Sequence, residues 1–92
     1  MAKRIYVENM LSSAGNPVPN QFVITDDFVE TFQSYDTTIG IRYRASGRIV
    51  LDYGAMDYSA TTSKYRNMWL GFDSKTVQRK IDSGEIVLSD LN

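Results

Sequence analysis

The stretch Ile39-Gly40-Ile41-Arg42-Tyr43-Arg44-Ala45-Ser46-Gly47-Arg48-Ile49-Val50-Leu51-Asp52-Tyr53 decides the fold class of this chain. Its two halves, residues 39–44 and 48–53, are rich in β-branched and aromatic residues, which favour strands. The loop Ala45-Ser46-Gly47 lies between them. A three-residue loop that ends in glycine is typical of a hairpin in which a left-handed glycine closes a type I turn. The sequence therefore predicts an antiparallel hairpin.

The loop length also predicts the register of this hairpin. Three loop residues pair Arg44 with Arg48 and Tyr43 with Ile49. Because side chains alternate along a strand, one face then collects the apolar residues and should be the core face. That predicted core face consists of Ile39, Ile41, Tyr43, Ile49, Leu51 and Tyr53. The opposite, outer face would carry Arg42, Arg44, Arg48 and Val50.

The residues before the hairpin predict more strands. We expect strands at residues 3–8, 21–25 and 29–34, with Ile5 and Val7 on one face of the first and Phe22 and Ile24 on one face of the second. Residues 11–20 predict a loop, because Pro17 and Pro19 cannot donate to a central sheet ladder. Asp26 and Asp27 predict a turn, since short carboxylates bond their own backbone there.

After Tyr53 the apolar spacing becomes helical. Four residues recur at i, i+3, i+4 and i+7, which indicates an amphipathic helix. They are Tyr65, Met68, Trp69 and Phe72. Thr61 or Thr62 would cap this helix, and Gly71 would end it.

A second helix is predicted at residues 75–83, capped by Asp73 or Ser74 and ended by Gly84. A short strand at 85–88 follows. Because strands come first and helices late, the fold class is α+β. We expect a small curled antiparallel sheet of about five to six strands, with the two short C-terminal helices packed on one face or end.

Composition limits the function classes. The 92 residues suffice for a single domain, residues 1–92, and they include no cysteine and no histidine. This excludes disulfides, thiol nucleophiles, Cys/His zinc sites and Ser-His-Asp triads. The chain has neither a long apolar run nor the apolar core of a signal peptide. We expect a cytoplasmic, non-enzymatic protein with no cofactor and no membrane partner; the oligomeric state stays open.

Charge is distributed unevenly. Residues 42–80 carry eight basic and three acidic side chains, whereas residues 1–41 carry two basic and five acidic ones. Such a block can form a basic face for an anionic partner, or the acidic ends can fold back over it. The predicted partner-binding residues lie in this block. They are Arg42, Arg44, Arg48, Tyr58, Lys64 and Arg66.

Other motifs favour simpler interpretations. Residues 70–81 resemble the turn and second helix of a helix-turn-helix, but Arg66 and Asn67 stand where the preceding helix needs small or apolar residues, which favours an ordinary helical hairpin. The hydroxyls at residues 59–63 could support an anion site at a helix N-terminus, although capping explains them as well. The acidic residues around Asp26 favour a solvated turn over a metal site.

Several strings resemble a family of short proteins, without assigned activity, that are encoded mainly by bacteriophages and related mobile elements. The strings are Gly-Asn-Pro-Val-Pro-Asn-Gln-Phe at residues 15–22, Phe-Gln-Ser-Tyr at 32–35, Asp-Tyr-Ser at 57–59, Thr-Thr-Ser-Lys-Tyr-Arg-Asn at 61–67, Leu-Gly at 70–71 and Leu-Asn at 91–92. The chain departs from the family pattern at Met56, where a tryptophan is usual, and at Gly40, where alanine is common.

The resemblance implies a phage or prophage origin. Together with the missing catalytic residues, it leads us to expect an accessory protein that binds a host or phage macromolecule. We expect this partner to be a protein first and a nucleic acid second. Inhibition of a host defence or of a host enzyme is the expected outcome of such binding. The alternative is a small nucleic-acid-binding regulator that uses the basic segment at residues 42–80.

Overall fold

The computed structural model of the chain describes residues 5–54 and 59–92. These residues form one open six-stranded sheet and two helices, so the predicted α+β class is confirmed. The elements are β1 (Tyr6–Leu11), β2 (Pro17–Thr25), β3 (Val29–Ser34), β4 (Thr37–Tyr43), β5 (Ile49–Asp52), α1 (Ala60–Leu70), α2 (Ser74–Ser83) and β6 (Ile86–Ser89).

The sheet is mixed, and its strands are neighbours in chain order. Strands β1 to β5 form an antiparallel meander, whereas β6 runs parallel to β5. The expectation of an antiparallel sheet is therefore wrong for the last pair. The reason is the connection: α1 and α2 follow β5 and return the chain, so that β6 starts at the same end of the sheet as β5.

The predicted register of the 39–53 hairpin is wrong by one residue. The loop has four residues, 44–47, and the Tyr43 N–H donates to the Arg48 carbonyl at 2.8 Å. Gly47, at φ 73°, supplies the left-handed conformation that the longer loop needs before Arg48. Ile41 consequently lies opposite Val50, and Arg42 lies opposite Ile49. A shift of one residue exchanges the faces of one strand relative to the other.

This shift changes which hairpin residues are buried. Ile39, Ile49 and Leu51 are buried as predicted. Ile39 reaches the core because it is the extra residue of a bulge, at which β4 shifts its register against β3. By contrast, Ile41 is only half-buried, and two tyrosines predicted for the core are exposed. These are Tyr43, at 44%, and Tyr53, at 67%.

The two prolines lie within a strand, which corrects the predicted loop at residues 11–20. Strand β2 begins at Pro17, which pairs with Leu11 of β1. Its pairing with β3 begins only at Gln21, opposite Ser34. Pro17 and Pro19 therefore lie where β2 has a partner on one side only, the edge position that tolerates a missing N–H donor.

Both helices form where the sequence predicts them. Ser59 caps α1 by accepting from the Thr62 N–H, so the cap lies two residues before Thr61, the first predicted cap. Asp73 caps α2, as predicted, by accepting from the Thr76 N–H at 2.7 Å. Hydrogen bonds from Thr76 lower the pKa of the Asp73 carboxyl, because they stabilise its charged form. The helices end at Gly71 and Gly84, as predicted.

The core lies between the two helices and one face of the sheet, which we call the helix face. The Trp69 ring stacks on Phe32 with ring centroids 5.8 Å apart, and its Nε1 donates to Glu30 Oε1 at 3.3 Å. Trp69 is thus buried on the apolar side of α1, as the helical spacing predicts, whereas Met68 of the same spacing is 47% exposed. The buried apolar residues are Phe32, Ile39, Ile49, Leu51, Tyr65, Trp69, Leu70, Val77 and Ile86.

Candidate binding surface

Arg42 points toward the helices, so its predicted position on the outer face is wrong. Its Nη1 lies 3.2 Å from Glu30 Oε1, and its guanidinium lies 5.0 Å from the centre of the Trp69 ring. Its Nη2 donates to the carbonyls of Trp69, at 3.1 Å, and Leu70, at 3.4 Å. Those carbonyls end α1, where the helix dipole favours a cation. Arg42 therefore fastens the end of α1 to the sheet.

Arg66 is also an internal residue, being only 1% exposed. Its Nη2 donates to Asn67 Oδ1 at 2.8 Å and to Ser74 Oγ at 3.3 Å. Burial lowers the pKa of its guanidinium, because desolvation disfavours the charged form. These bonds tie α1 to the start of α2, so Arg66 contributes to the helix pair and not to the surface.

The other predicted site residues do not form one patch. Arg44 is exposed at the hairpin loop, where its Nη1 donates to the Asp26 carbonyl at 2.8 Å. Lys64 is exposed on α1, with Nζ 5.4 Å from the centre of the Tyr65 ring. Tyr58 lies outside the described residues. Of the five predicted site residues that the structure describes, Arg48 alone lines a groove on the face of the sheet opposite the helices.

We call that opposite side of the sheet the open face. A single row of paired residues crosses all six strands on this side, and five of its six members are aliphatic. The row runs Val7, Ile24, Thr31, Ile41, Val50 and Val87. Phe22 occupies the same side of β2 as Ile24, as the alternation predicted. This row is therefore apolar from one edge of the sheet to the other, except at Thr31.

A groove of about 430 Å³ lies on the open face over β4, β5 and β6. Leu91 contributes to it from the segment after β6, where its N–H donates to Asp52 Oδ1 at 3.0 Å. The Asn92 side chain holds the same segment through two bonds to the Thr38 backbone, at 2.8 and 2.9 Å. We call this the Arg48 groove, and its lining residues are Ile41, Tyr43, Arg48, Val50, Val87, Ser89 and Leu91.

The hydroxyl cluster before α1 bonds internally, which confirms helix capping for Ser59. A second cavity of about 240 Å³ lies beside it. Ser34 Oγ and Thr62 Oγ1 are 3.0 Å apart, and Ser59 Oγ donates to Thr62 Oγ1 at 3.2 Å. The Ser59 oxygen also accepts from the Thr62 N–H, which occupies a donor that an anion at the helix end would need.

The acidic residues of the 26–30 segment serve the fold. Asp26 Oδ1 accepts from the Phe28 N–H at 2.7 Å and from the Val29 N–H at 2.9 Å, which confirms the predicted turn. Glu30 turns to Arg42 and Trp69 instead. Within the residues that the structure describes, no group of three or more acidic side chains could hold a metal ion, and no helix could cross a membrane.

The sequence did contain a signal for the open face. Three strands carry uninterrupted apolar triplets, Phe22-Val23-Ile24, Ile49-Val50-Leu51 and Ile86-Val87-Leu88. Because neighbouring residues point to opposite faces, such a run makes both faces of its strand apolar. The predicted register put Val50 on the outer face together with three arginines, whereas this run indicates that the face of Val50 is apolar.

Comparisons with known proteins give one match. A search of curated proteins and a search of solved structures each find no match to this chain. Residues 5–85 match a family of unknown function, DUF8033. The matched region contains both helices and all strands except β6, which starts at Ile86. Since the match covers most of its length, the chain belongs to DUF8033, a family of unknown function.

Proposed function

We propose that this protein is a non-enzymatic phage accessory protein that binds a host or phage protein through the open face of its sheet. It would act by covering a surface of that partner, for example as an inhibitor of a host defence or of a host enzyme. The phage origin rests on the resemblance of the quoted strings. The binding role rests on the geometry of the sheet.

The observation that carries the proposal is the row from Val7 to Val87, aliphatic at every position except Thr31, on a face without helices. Six strands about 4.8 Å apart, with several residues each at about 3.3 Å, make a face of several hundred Å². Contiguous exposed apolar surface on such a face often marks an interaction site. The members of the row differ in exposure: Val7 is 61% exposed, whereas Val50 and Val87 are half-buried.

The placement of the basic residues favours a protein partner over a nucleic acid. Arg42 and Arg66 are engaged inside the fold, and Lys80 pairs with Glu85 at 2.8 Å. Arg48 lies on the open face, whereas Lys64 lies on α1. A phosphate backbone needs several cations along one track, which these positions do not provide.

The experiment compares immobilised wild-type protein with two folded variants in a bacterial lysate. Val50→Glu places a charge at the centre of the open face, and Met68→Glu places the same charge on the exposed side of α1. We expect the wild type and Met68→Glu to retain the same protein, and Val50→Glu to lose it. Circular dichroism and thermal unfolding establish that each variant is folded.

Two results would count against the proposal. If folded Val50→Glu retains the same protein as Met68→Glu, the open face is not the binding site. If all three instead retain nucleic acid, and the retention falls steeply as salt rises, the regulator alternative is correct.

A further inference from the structure

We infer that the Arg48 groove binds a protein segment in which a carboxylate lies next to a large apolar side chain. The inference rests on the proposed function and specifies the chemistry of the partner. The apolar side chain would lie over the row residues Ile41, Val50 and Val87, and the carboxylate would pair with the Arg48 guanidinium.

The apolar half of this site comes from three adjacent strands. Ile41, Val50 and Val87 are neighbours in the register of β4, β5 and β6, so their side chains form one patch. Leu91 adds a fourth apolar side chain from the segment held by Asp52. A groove of about 430 Å³ has the size at which protein pockets enclose a compact ligand or a large side chain.

The charged half of the site is Arg48, the single charged residue among those that line the groove. The side chain is exposed and makes no ion pair within the part of the chain that the structure describes. Because arginine presents a planar fork of donors, it binds a carboxylate through two parallel hydrogen bonds. An apolar surround strengthens such a pair by excluding water.

Two carboxylates on or next to these strands, Glu85 and Asp52, have other partners. Glu85 precedes β6 as Arg48 precedes β5, but its Oε2 lies 2.8 Å from Lys80 Nζ. That pairing lowers the pKa of the Glu85 carboxyl. Asp52 is four residues farther along, about 13 Å at strand spacing, and it accepts from the Leu91 and Gly54 N–H groups.

The same charges argue against a second copy of this chain as the occupant. A two-fold dimer presents the same patch from both partners, so Arg48 would have to meet a residue of its own face. The residues that line the groove include no carboxylate to receive it. A different partner that brings a carboxylate satisfies both the charge and the apolar surface.

The test is selection from a displayed library of random short peptides. Wild-type protein should enrich peptides with Asp or Glu within two positions of a large apolar residue. Arg48→Glu should lose this preference and enrich Lys or Arg at the same place. Lys75→Glu, an exposed residue of α2, makes the same charge reversal away from the groove and should keep the wild-type preference.

Fluorescence anisotropy then measures one selected peptide and its amide counterpart, in which Asp is replaced by Asn. For wild type and Lys75→Glu we expect the amide to bind at least about tenfold more weakly, because a charge-assisted pair is lost. For Arg48→Glu the amide should bind no more weakly than the acid. Arg48→Gln provides a neutral variant should Arg48→Glu fail to fold.

The outcomes separate this inference from the proposed function. If the selected peptides show no enrichment of acidic residues but fail to bind Val50→Glu, the inference is overturned and the open face remains a binding site. Peptides that bind folded Val50→Glu unchanged would contradict both. A wild-type dimer in sedimentation that Val50→Glu disperses would identify a second copy as the occupant and overturn the inference.

Discussion

The two faces of the sheet both carry aliphatic residues but have very different surroundings. On β5, Leu51 is completely buried beneath the helices, whereas its neighbour Val50 is half-buried on the open face. The difference lies in what covers them: α1 and α2 pack on one side only. An apolar strand surface is therefore part of the core only if another element covers it, and otherwise it is available to a partner.

The largest effect should come from Trp69, the central residue of the helix face. Trp69→Ala removes the stack on Phe32 and the hydrogen bond to Glu30, and should cost about 3–5 kcal/mol in the free energy of unfolding. A domain of this size can lose its fold at that cost. Met68→Ala, the exposed neighbour on α1, should change stability by less than about 1 kcal/mol. Urea denaturation measures both.

One result would reverse the roles of the two faces. A Trp69→Ala protein that unfolds at nearly the wild-type urea concentration but no longer binds its partner would make Trp69 an interface residue. The helix face would then be the binding surface, and the open face would need another explanation.

The second prediction concerns the tight contact between α1 and the sheet. A Cβ added at Gly40 would lie 2.7 Å from Leu51 Cδ2 and 2.9 Å from Trp69 Cζ3. Gly40→Ala, the residue common in the resembled family, should therefore destabilise this chain by about 1–3 kcal/mol through overpacking. The double variant Gly40→Ala/Leu51→Ala should be more stable than the sum of the single effects implies. If the losses in the free energy of unfolding of the two single variants add up exactly in the double variant, as measured by urea denaturation, the contact is contradicted.

The smallest effects come from a pair of valines, Val77 of α2, which is buried in the core, and Val50 on the open face. Val77→Thr buries a hydroxyl where the side chain is fully buried, and should cost about 1–3 kcal/mol. Val50→Thr places the same hydroxyl on the open face, where water reaches it, and should change stability by no more than about 0.5 kcal/mol. Equal losses in the two urea midpoints would show that the open face is covered in the free protein.

Much of the fold follows from local sequence. The cap at Asp73, the helix ends at Gly71 and Gly84 and the Asp26 turn all depend on neighbouring backbone groups. Such interactions span a few residues, so the residue types at the right spacing suffice to predict them. The helical spacing that includes Tyr65 and Trp69 predicted α1 for the same reason.

The candidate site was predicted only in part, because it depends on register. Arg48 lies at the groove, but Arg42 and Arg66 are internal. The hairpin loop has four residues instead of three. The local sequence does not distinguish between these two loop lengths. That one residue decides whether Arg42 points to the helices or away from them.

The sequence by itself determined the type and order of most elements and where the two helices end, and it contains the apolar triplets that make both faces of three strands apolar. Only the tertiary structure decided which face the helices cover, that β6 runs parallel to β5, and that Arg48 remains at an uncovered apolar groove. The physical reason is the range of the interactions. Caps and turns are local, whereas register, strand direction and the choice of covered face depend on contacts between residues far apart in the chain.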